Sequence, residues 1–229
     1  MEALKKRMSA LKMGKTDMKV DDCDIKLTYF PSRGRAEISR LILTQGGVEF
    51  DDIRLNGEEF GQVKPLLPYG SVPVLEYKGE VICESMAIAK FLAEECGLAG
   101  KNNIEGAQAC EIALAINGMF EDLVKLMFAK EDEKEAAQKK LFGETLPLKL
   151  GQLETRLIQR GGQFFAGNTV TWADLMLVAM TDNLKSPVLG ASGALDKFPR
   201  LSNLYERVSS LPNIKAWRTS RPLDPMMKN

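Results

Sequence analysis

The rhythm of apolar and polar positions changes twice along these 229 residues. In residues 1–20, Met1, Leu4, Met8, Leu11 and Met18 recur at mostly three- and four-residue spacing, a heptad-like seam interrupted by Lys15. An acidic stretch at 21–24 closes this N-terminal extension, 1–24. From Ile25 the texture is different. Residues 25–29 alternate as a strand does, 36–44 show the spacing of an amphipathic helix before Gly46-Gly47, and 48–55 read as a second strand. A Pro/Gly-rich stretch follows. Residues 72–77 and 80–83 then flank Lys78-Gly79, the signature of a hairpin, and 85–96 are helical up to Gly97. The order β-α-β followed by β-β-α predicts an α/β sandwich over 25–98, with the hairpin antiparallel to the first pair.

Residues 98–103 form a polar linker, and beyond them the period is helical almost throughout. Helices are predicted at 105–130, 133–160, 171–184, 201–210 and 214–219, which makes 104–229 an all-α domain. Thirty-one basic and thirty-one acidic residues cancel, so no general attraction to nucleic acid or membrane is expected. No apolar run approaches the ~18 residues of a membrane span, and the first twenty residues lack a secretory signal core. Cytoplasmic residence is therefore expected, with the cysteines at 23, 83, 96 and 110 reduced. The chain has no histidine. Ser-His-Asp and Cys-His catalysis, His-ligated metals and a histidine base are all excluded.

What chemistry remains is concentrated at 25–43. Tyr29 ends the first strand, and Pro31-Ser32-Arg33-Gly34-Arg35 leads into the helix. A phenol beside a helix start and two arginines can hold an anion, and arginines are poor core material. The plainer reading of Tyr29 is a packed strand aromatic. At Val72-Pro73, a cis bond would turn the Val72 amide and carbonyl outward to pair with an extended ligand. Cis bonds before proline are a small minority, so sequence alone does not support one here. Glu84-Ser85 reads either as a plain N-cap or as a site where Ser85 takes a carboxylate and Glu84 an ammonium. Thr171-Trp172-Ala173-Asp174 is a capping box, and the charge run at 131–140 is a solvated helix face.

Taken in order, Tyr29-Phe30-x-x-Arg33-Gly34-Arg35-Ala36-Glu37, Val72-Pro73-Val74-Leu75, Glu84-Ser85-x-Ala87-Ile88-Ala89 and Val170–Asp174 resemble the cytosolic glutathione transferases. The Arg-Gly-Arg-Ala-Glu turn and Lys215-Ala216-Trp217 are similar to the sigma class, which includes prostaglandin D synthases and the lens S-crystallins. The resemblance covers about residues 25–222 and implies a thioredoxin-like α/β N-terminal domain, an all-α C-terminal domain and a homodimer. It implies glutathione as co-substrate, no permanently bound cofactor, and a hydrophobic electrophile conjugated as in detoxification, with peroxidase or prostaglandin isomerase activity beside it. Tyr29 matches the tyrosine that stabilises the thiolate, and Arg35 the arginine that assists it. Phe60 and Lys64 match contacts to the glycyl end, and Gly70, Ser71 and Val72 the segment that reads the cysteinyl backbone. Pro73 matches the cis-proline, and Glu84 and Ser85 the pair that holds the γ-glutamyl group.

This chain departs from the family at several points. Phe60 stands for a tryptophan, Ser71 for a lysine, and Cys110 for an aspartate that reaches the partner's glutathione. Leu114, Asn117 and Gly118 replace metal-binding aspartates, so metal activation is not expected. The electrophile is expected near Phe30-Pro31-Ser32, the 119–127 helix and Met226-Met227. These departures leave a second reading open, a non-catalytic crystallin-like or muscle-associated structural protein on the same fold. Residues 1–20 resemble the start of tropomyosin, which implies docking on a coiled coil or thin filament. The plainer reading of that segment is a basic, partly helical tail.

Overall fold

The computed structural model describes residues 24–187 and 189–222. The docking segment expected at 1–20 and the Met226-Met227 tail lie outside the described residues. One mixed sheet carries the strands β1 (Ile25–Tyr29), β2 (Asp51–Arg54), β3 (Val74–Tyr77) and β4 (Glu80–Cys83) in the order β2-β1-β3-β4. β1 runs parallel to β2 and antiparallel to β3, with Leu27 opposite both Asp52 and Leu75. The β3–β4 hairpin turns through Lys78 and Gly79 at φ of 49° and 90°. Two consecutive positive φ values match the twist of paired strands, as the Lys-Gly pair predicts.

Helices α1 (Glu37–Gln45) and α3 (Ser85–Glu95) pack together, and Leu27 and Leu75 share one core with Leu41, Ile42, Ile88 and Leu92. Each such side chain contributes about 1.5–3 kcal/mol on burial. The α1 pattern predicts one solvent face, but every residue from Glu37 to Leu43 is buried. The reason is a third layer: α7 (Trp172–Leu184) and α9 (Pro212–Ser220) pack on the side of α1 that the pattern leaves polar.

Two further differences concern this region. The second strand is shorter than 48–55, although Val48 and Phe50 still pack on the core, the Phe50 ring 6.0 Å from Trp217. The Pro/Gly-rich stretch contains a short helix, α2 (Gly57–Val63). It is started by a capping box in which Glu59 N donates to Asn56 Oδ1 at 2.9 Å and Asn56 N to Glu59 Oε2 at 2.8 Å.

The rest is helical: α4 (Asn103–Met127), α5 (Glu131–Lys140), α6 (Leu146–Gln159), α7, α8 (Pro199–Ser209) and α9. The single helix predicted at 133–160 is instead α5 and α6 joined by a π-helical turn, Leu141–Thr145. Pro147, in the first turn of α6, has no N–H to give the preceding turn, and the wider turn absorbs that defect. α7 lies at the centre and is buried over nearly its whole length. Its start is the predicted capping box, with Thr171 N and Oγ1 both donating to Asp174 Oδ2, at 2.7 and 3.0 Å. Asp174 Oδ1 also accepts from Phe165 N at 3.0 Å. A thioredoxin-like α/β layer against an all-α bundle is the fold that the motif resemblance implies.

Candidate active site at the strand ends

Strand register brings the candidate residues to one end of the sheet. Tyr29 is the last residue of β1, paired with Arg54 at the end of β2. Thr28 pairs with Val74 and Val74 with Cys83, so Pro73 and Glu84 each lie one residue past these pairs, at the same end. β2 leads through Leu55 into α2, which carries Phe60 toward that end as well. Leu55 N donates to Tyr29 O at 2.8 Å and fixes this approach.

Tyr29 is 9% exposed, as a packed strand aromatic is. Its hydroxyl accepts from the backbone N–H of Arg35 at 3.2 Å. Gly34 makes this approach possible. Its φ is +43°, and a Cβ there would lie 2.6 Å from the Tyr29 hydroxyl oxygen. The Arg35 guanidinium Nη1 meets Glu121 Oε1 on α4 at 2.8 Å, across the boundary between sheet layer and helical bundle. That hydrogen bond raises Arg35 above the usual arginine range and lowers Glu121 below the usual carboxylate range.

Arg33 corrects the view of arginine as poor core material. It is buried, and its Nη1 donates to the Asp182 carbonyl of α7 at 2.7 Å, which supplies the hydrogen bond that burial demands.

A second group lies on the α2 side. The Phe60 ring stacks edge-on against Phe30 at 5.0 Å, and Phe30 against Tyr29 at 5.4 Å. Lys64 Nζ stands 5.8 Å from the Phe60 ring centre, and the Lys64 chain passes close to Gly70, whose φ is +60°. Ser71 is exposed, while Val72 packs on the core. The Val72–Pro73 bond is cis, which chain statistics did not support and the motif resemblance did.

Glu84, not Ser85, is the N-cap of α3. It has a φ of +70° and makes no side-chain capping bond, and Ser85 is the buried first helical residue. The N-cap reading of the pair thus falls on Glu84, without a side-chain capping bond. Ser85 and Met86 join Gly34, Arg35, Phe120 and Met176 around a cavity of about 10 Å³. Of the 119–127 helix expected to form the electrophile pocket, Phe120 lines this cavity, whereas Met119 is fully buried in the core.

The comparisons with known proteins agree with this fold. The chain matches the family model for the glutathione S-transferase N-terminal domain over residues 25–94, and that for the C-terminal domain over 117–221. This chain belongs to the glutathione S-transferase family. It is 40% identical over 197 residues to the hematopoietic prostaglandin D synthase of Gallus gallus, covering 86% of this chain and 96% of that protein. Glutathione S-transferase 1 of Ascaris suum is 38% identical over 204 residues, covering 87% of this chain and 98% of that protein. Among solved structures, the Ascaris lumbricoides glutathione S-transferase superposes with a TM-score of 0.79 at 37% identity, covering 88% of this chain and 99% of that one. Prostaglandin synthase D of Nilaparvata lugens gives 0.80 at 31%, covering 87% and 98%.

Around the strand ends, this transferase carries a charge network that sequence reading missed. Glu37 is fully buried and accepts from Trp217 Nε1 at 3.0 Å and from Arg221 Nη1 at 2.6 Å. Arg221 Nη2 also donates to Asp182 Oδ2 at 2.7 Å, and Arg218 and the Tyr205 hydroxyl complete the shell of Asp182. Burial pushes Asp182 up, but Arg218 and Arg221 outweigh it and hold the carboxyl below its usual range. Arg40, also fully buried, bonds Asp52 at 2.9 Å and the Ser32 carbonyl at 2.8 Å. The turn before Gly34 is thus tied to both the sheet and α1. The remaining thiols of the described region, Cys83, Cys96 and Cys110, are free, and burial raises Cys83 and Cys96, making them weaker nucleophiles.

Proposed function

We propose that this glutathione transferase is of the sigma type and binds glutathione across the strand ends, with the Tyr29 hydroxyl on its thiolate. The observation that carries the reading is the contact set at Tyr29: a strand-end phenol, an Arg35 N–H on its oxygen, and a glycine whose missing side chain makes room for it. In this reading 25–98 is the glutathione-binding domain and 104–229 the helical domain. Arg35 supplies positive potential beside the thiolate. Val72, presented by the cis bond, pairs with the cysteinyl backbone through its N–H and C=O, with Gly70 and Ser71 leading the chain there. Glu84 and Ser85 take the γ-glutamyl ammonium and carboxylate, the latter at the positive end of α3. Lys64, beside Phe60, takes the glycyl carboxylate.

Magnitudes define what Tyr29 can contribute. A free thiol with a pKa of about 8.5 is roughly 3% ionised at pH 7, and a drop of about two units raises that some 25-fold. A Brønsted slope of about 0.4–0.5 returns most of the gain, because the less basic thiolate attacks more slowly. The larger share comes from holding the thiolate in line with an apolar electrophile.

The electrophile is hydrophobic, supported by Phe120, Met86 and Met176 at the boundary. Prostaglandin isomerisation is a further candidate activity, supported by the names of the Gallus and Nilaparvata relatives. Two copies pair in solution. Supporting this are Tyr69, 71% exposed, and a groove of about 450 Å³ beside Leu114, Gly118 and Leu153. Cytoplasmic residence is supported by the free thiols of the described region. Docking of residues 1–20 on a coiled coil or thin filament is a separate proposal resting on their resemblance to the start of tropomyosin and its heptad positions. Equal co-sedimentation of the full chain and a 1–20 deletion with thin filaments would defeat it.

The test of the main reading is retention on immobilised glutathione together with conjugation of a hydrophobic electrophile. Tyr29→Phe is expected to keep retention and lose about 10²-fold in rate, the scale of one removed oxyanion donor. Unchanged turnover would take Tyr29 out of its role, and absence of any conjugation in the wild type would favour the structural-protein reading.

A further inference from the structure

Arg35 reaches in two directions from one backbone position. Its N–H points at the Tyr29 oxygen, and its guanidinium points across the boundary to Glu121 of α4. The same guanidinium stands 5.9 Å from the Phe120 ring centre, and the Asn117 side-chain amide lies 3.5 Å from the same Glu121 oxygen. Glu121 is therefore held from its own helix as well as by Arg35, although its side chain is 44% exposed. An ion pair this open contributes little to stability. What it alters is the charge beside Tyr29. The charged and titratable groups facing Arg35 and Glu121 are Tyr29 from β1, Glu84 from the segment before α3, and Lys125 from α4. Of the carboxylates, Glu121 makes the direct contact.

We propose that Glu121 is a positioning residue for the reaction: it anchors the Arg35 guanidinium across the boundary and withholds part of its positive charge from the glutathione thiolate. This rests on the assignment of Tyr29 and Arg35 to the thiolate. The consequence is a bound thiol that ionises near neutral pH yet stays basic enough to attack weakly activated electrophiles. A more acidic thiol would ionise earlier and react more slowly once ionised. Glu121 sets the compromise between the two.

Glu121→Gln separates charge from anchoring, because the amide oxygen still accepts from Arg35 Nη1 while the negative charge is gone. Removing the charge that partners Arg35 is expected to lower the pKa of the bound thiol by about 0.5–1 unit. The Brønsted slope then lowers the rate of the fully ionised complex about twofold. The assay is kcat/KM against pH for an uncharged chlorodinitrobenzene, with wild type, Glu121→Gln and Glu121→Asp. The Gln profile should rise at lower pH, level off lower and cross the wild-type curve, and Asp should restore the wild-type shape. A uniform drop without a shift, a shift to higher pH, or no change at all would overturn the proposal. Tyr29→Phe in the same titration distinguishes the two assignments. If its acid limb does not move up, the Tyr29 reading fails. If it does move up while Glu121→Gln stays put, only the role of Glu121 is lost.

Discussion

Gly34 and Gly47 form a matched pair on which the packing at Tyr29 can be tested. Both have positive φ, +43° and +67°, so alanine at either one incurs the left-handed penalty of about 1–2 kcal/mol. Their surroundings differ. Nothing lies within 4 Å of a Cβ at Gly47, whereas one at Gly34 would sit 2.6 Å from the Tyr29 hydroxyl and 2.7 Å from Cε1. Ordinary contact begins near 3.4 Å, so the phenol must retreat by 3.4 − 2.6 = 0.8 Å or the turn must open by as much. Misplacing a reacting group by about 1 Å can cost on the order of 10²-fold in rate. Gly34→Ala should therefore lose about 10²-fold in kcat/KM for conjugation and about 1–3 kcal/mol in stability. Gly47→Ala should lose only the 1–2 kcal/mol, or about 2–8 °C in Tm for a chain of this size, with kinetics intact. Urea denaturation and steady-state conjugation read both quantities. Equal kinetic losses in the two variants, or full activity in Gly34→Ala, would refute the claim that close contact with Gly34 sets the position of Tyr29.

Arg221→Ala takes one donor each from the buried carboxylates of Glu37 and Asp182, which keep Trp217 and Arg218. Urea unfolding should show a loss of about 2–3 kcal/mol, near the low end for a broken buried pair. Burial pushes the Asp174 carboxyl up to about 6, well above the ordinary aspartate value of 3.8. Its native form binds a proton more tightly than the unfolded chain does, so this contribution is fully present below pH ~4 and is lost as pH rises through ~6. Relative to Asp174→Asn, wild type should lose on the order of 3 kcal/mol between pH 4 and 7, measured by denaturation at each pH. A constant difference would mean that the capping bonds compensate the burial. Phe60→Trp restores an N–H donor at the proposed glycyl end and should tighten glutathione about tenfold by calorimetry, the worth of one hydrogen bond to a charged group.

Local signals made much of this fold legible. Lys78-Gly79 announced its turn, Thr171 and Asp174 their capping box, and the alternation at 25–29 its strand. Asn56 and Glu59 carried an equally clear helix start, hidden by the glycines and prolines around them. What escaped was set by distant partners. α1 reads as amphipathic because Glu37, Ser39 and Arg40 are polar, but α7 and α9 arrive from more than a hundred residues away and bury them. Arg33 was legible as a cation and illegible as a buried one, since its acceptor is a backbone carbonyl 149 residues on. Tyr29, Arg35, Glu84 and Ser85 stood out because unusual residues cluster at strand ends and helix starts. Glu121 gave no such signal: it is one acidic residue among many on a long helix, and only folding sets it against Arg35.

The central claim is that Tyr29 stabilises the thiolate of bound glutathione. The direct measurement is the ultraviolet thiolate absorbance of the glutathione complex as a function of pH, in wild type and Tyr29→Phe. Wild type should ionise about two units below the free thiol, near 6.5, and the variant close to ~8.5, with glutathione affinity nearly unchanged below pH ~6, where the thiol is protonated in both. Coincident titrations would contradict the account.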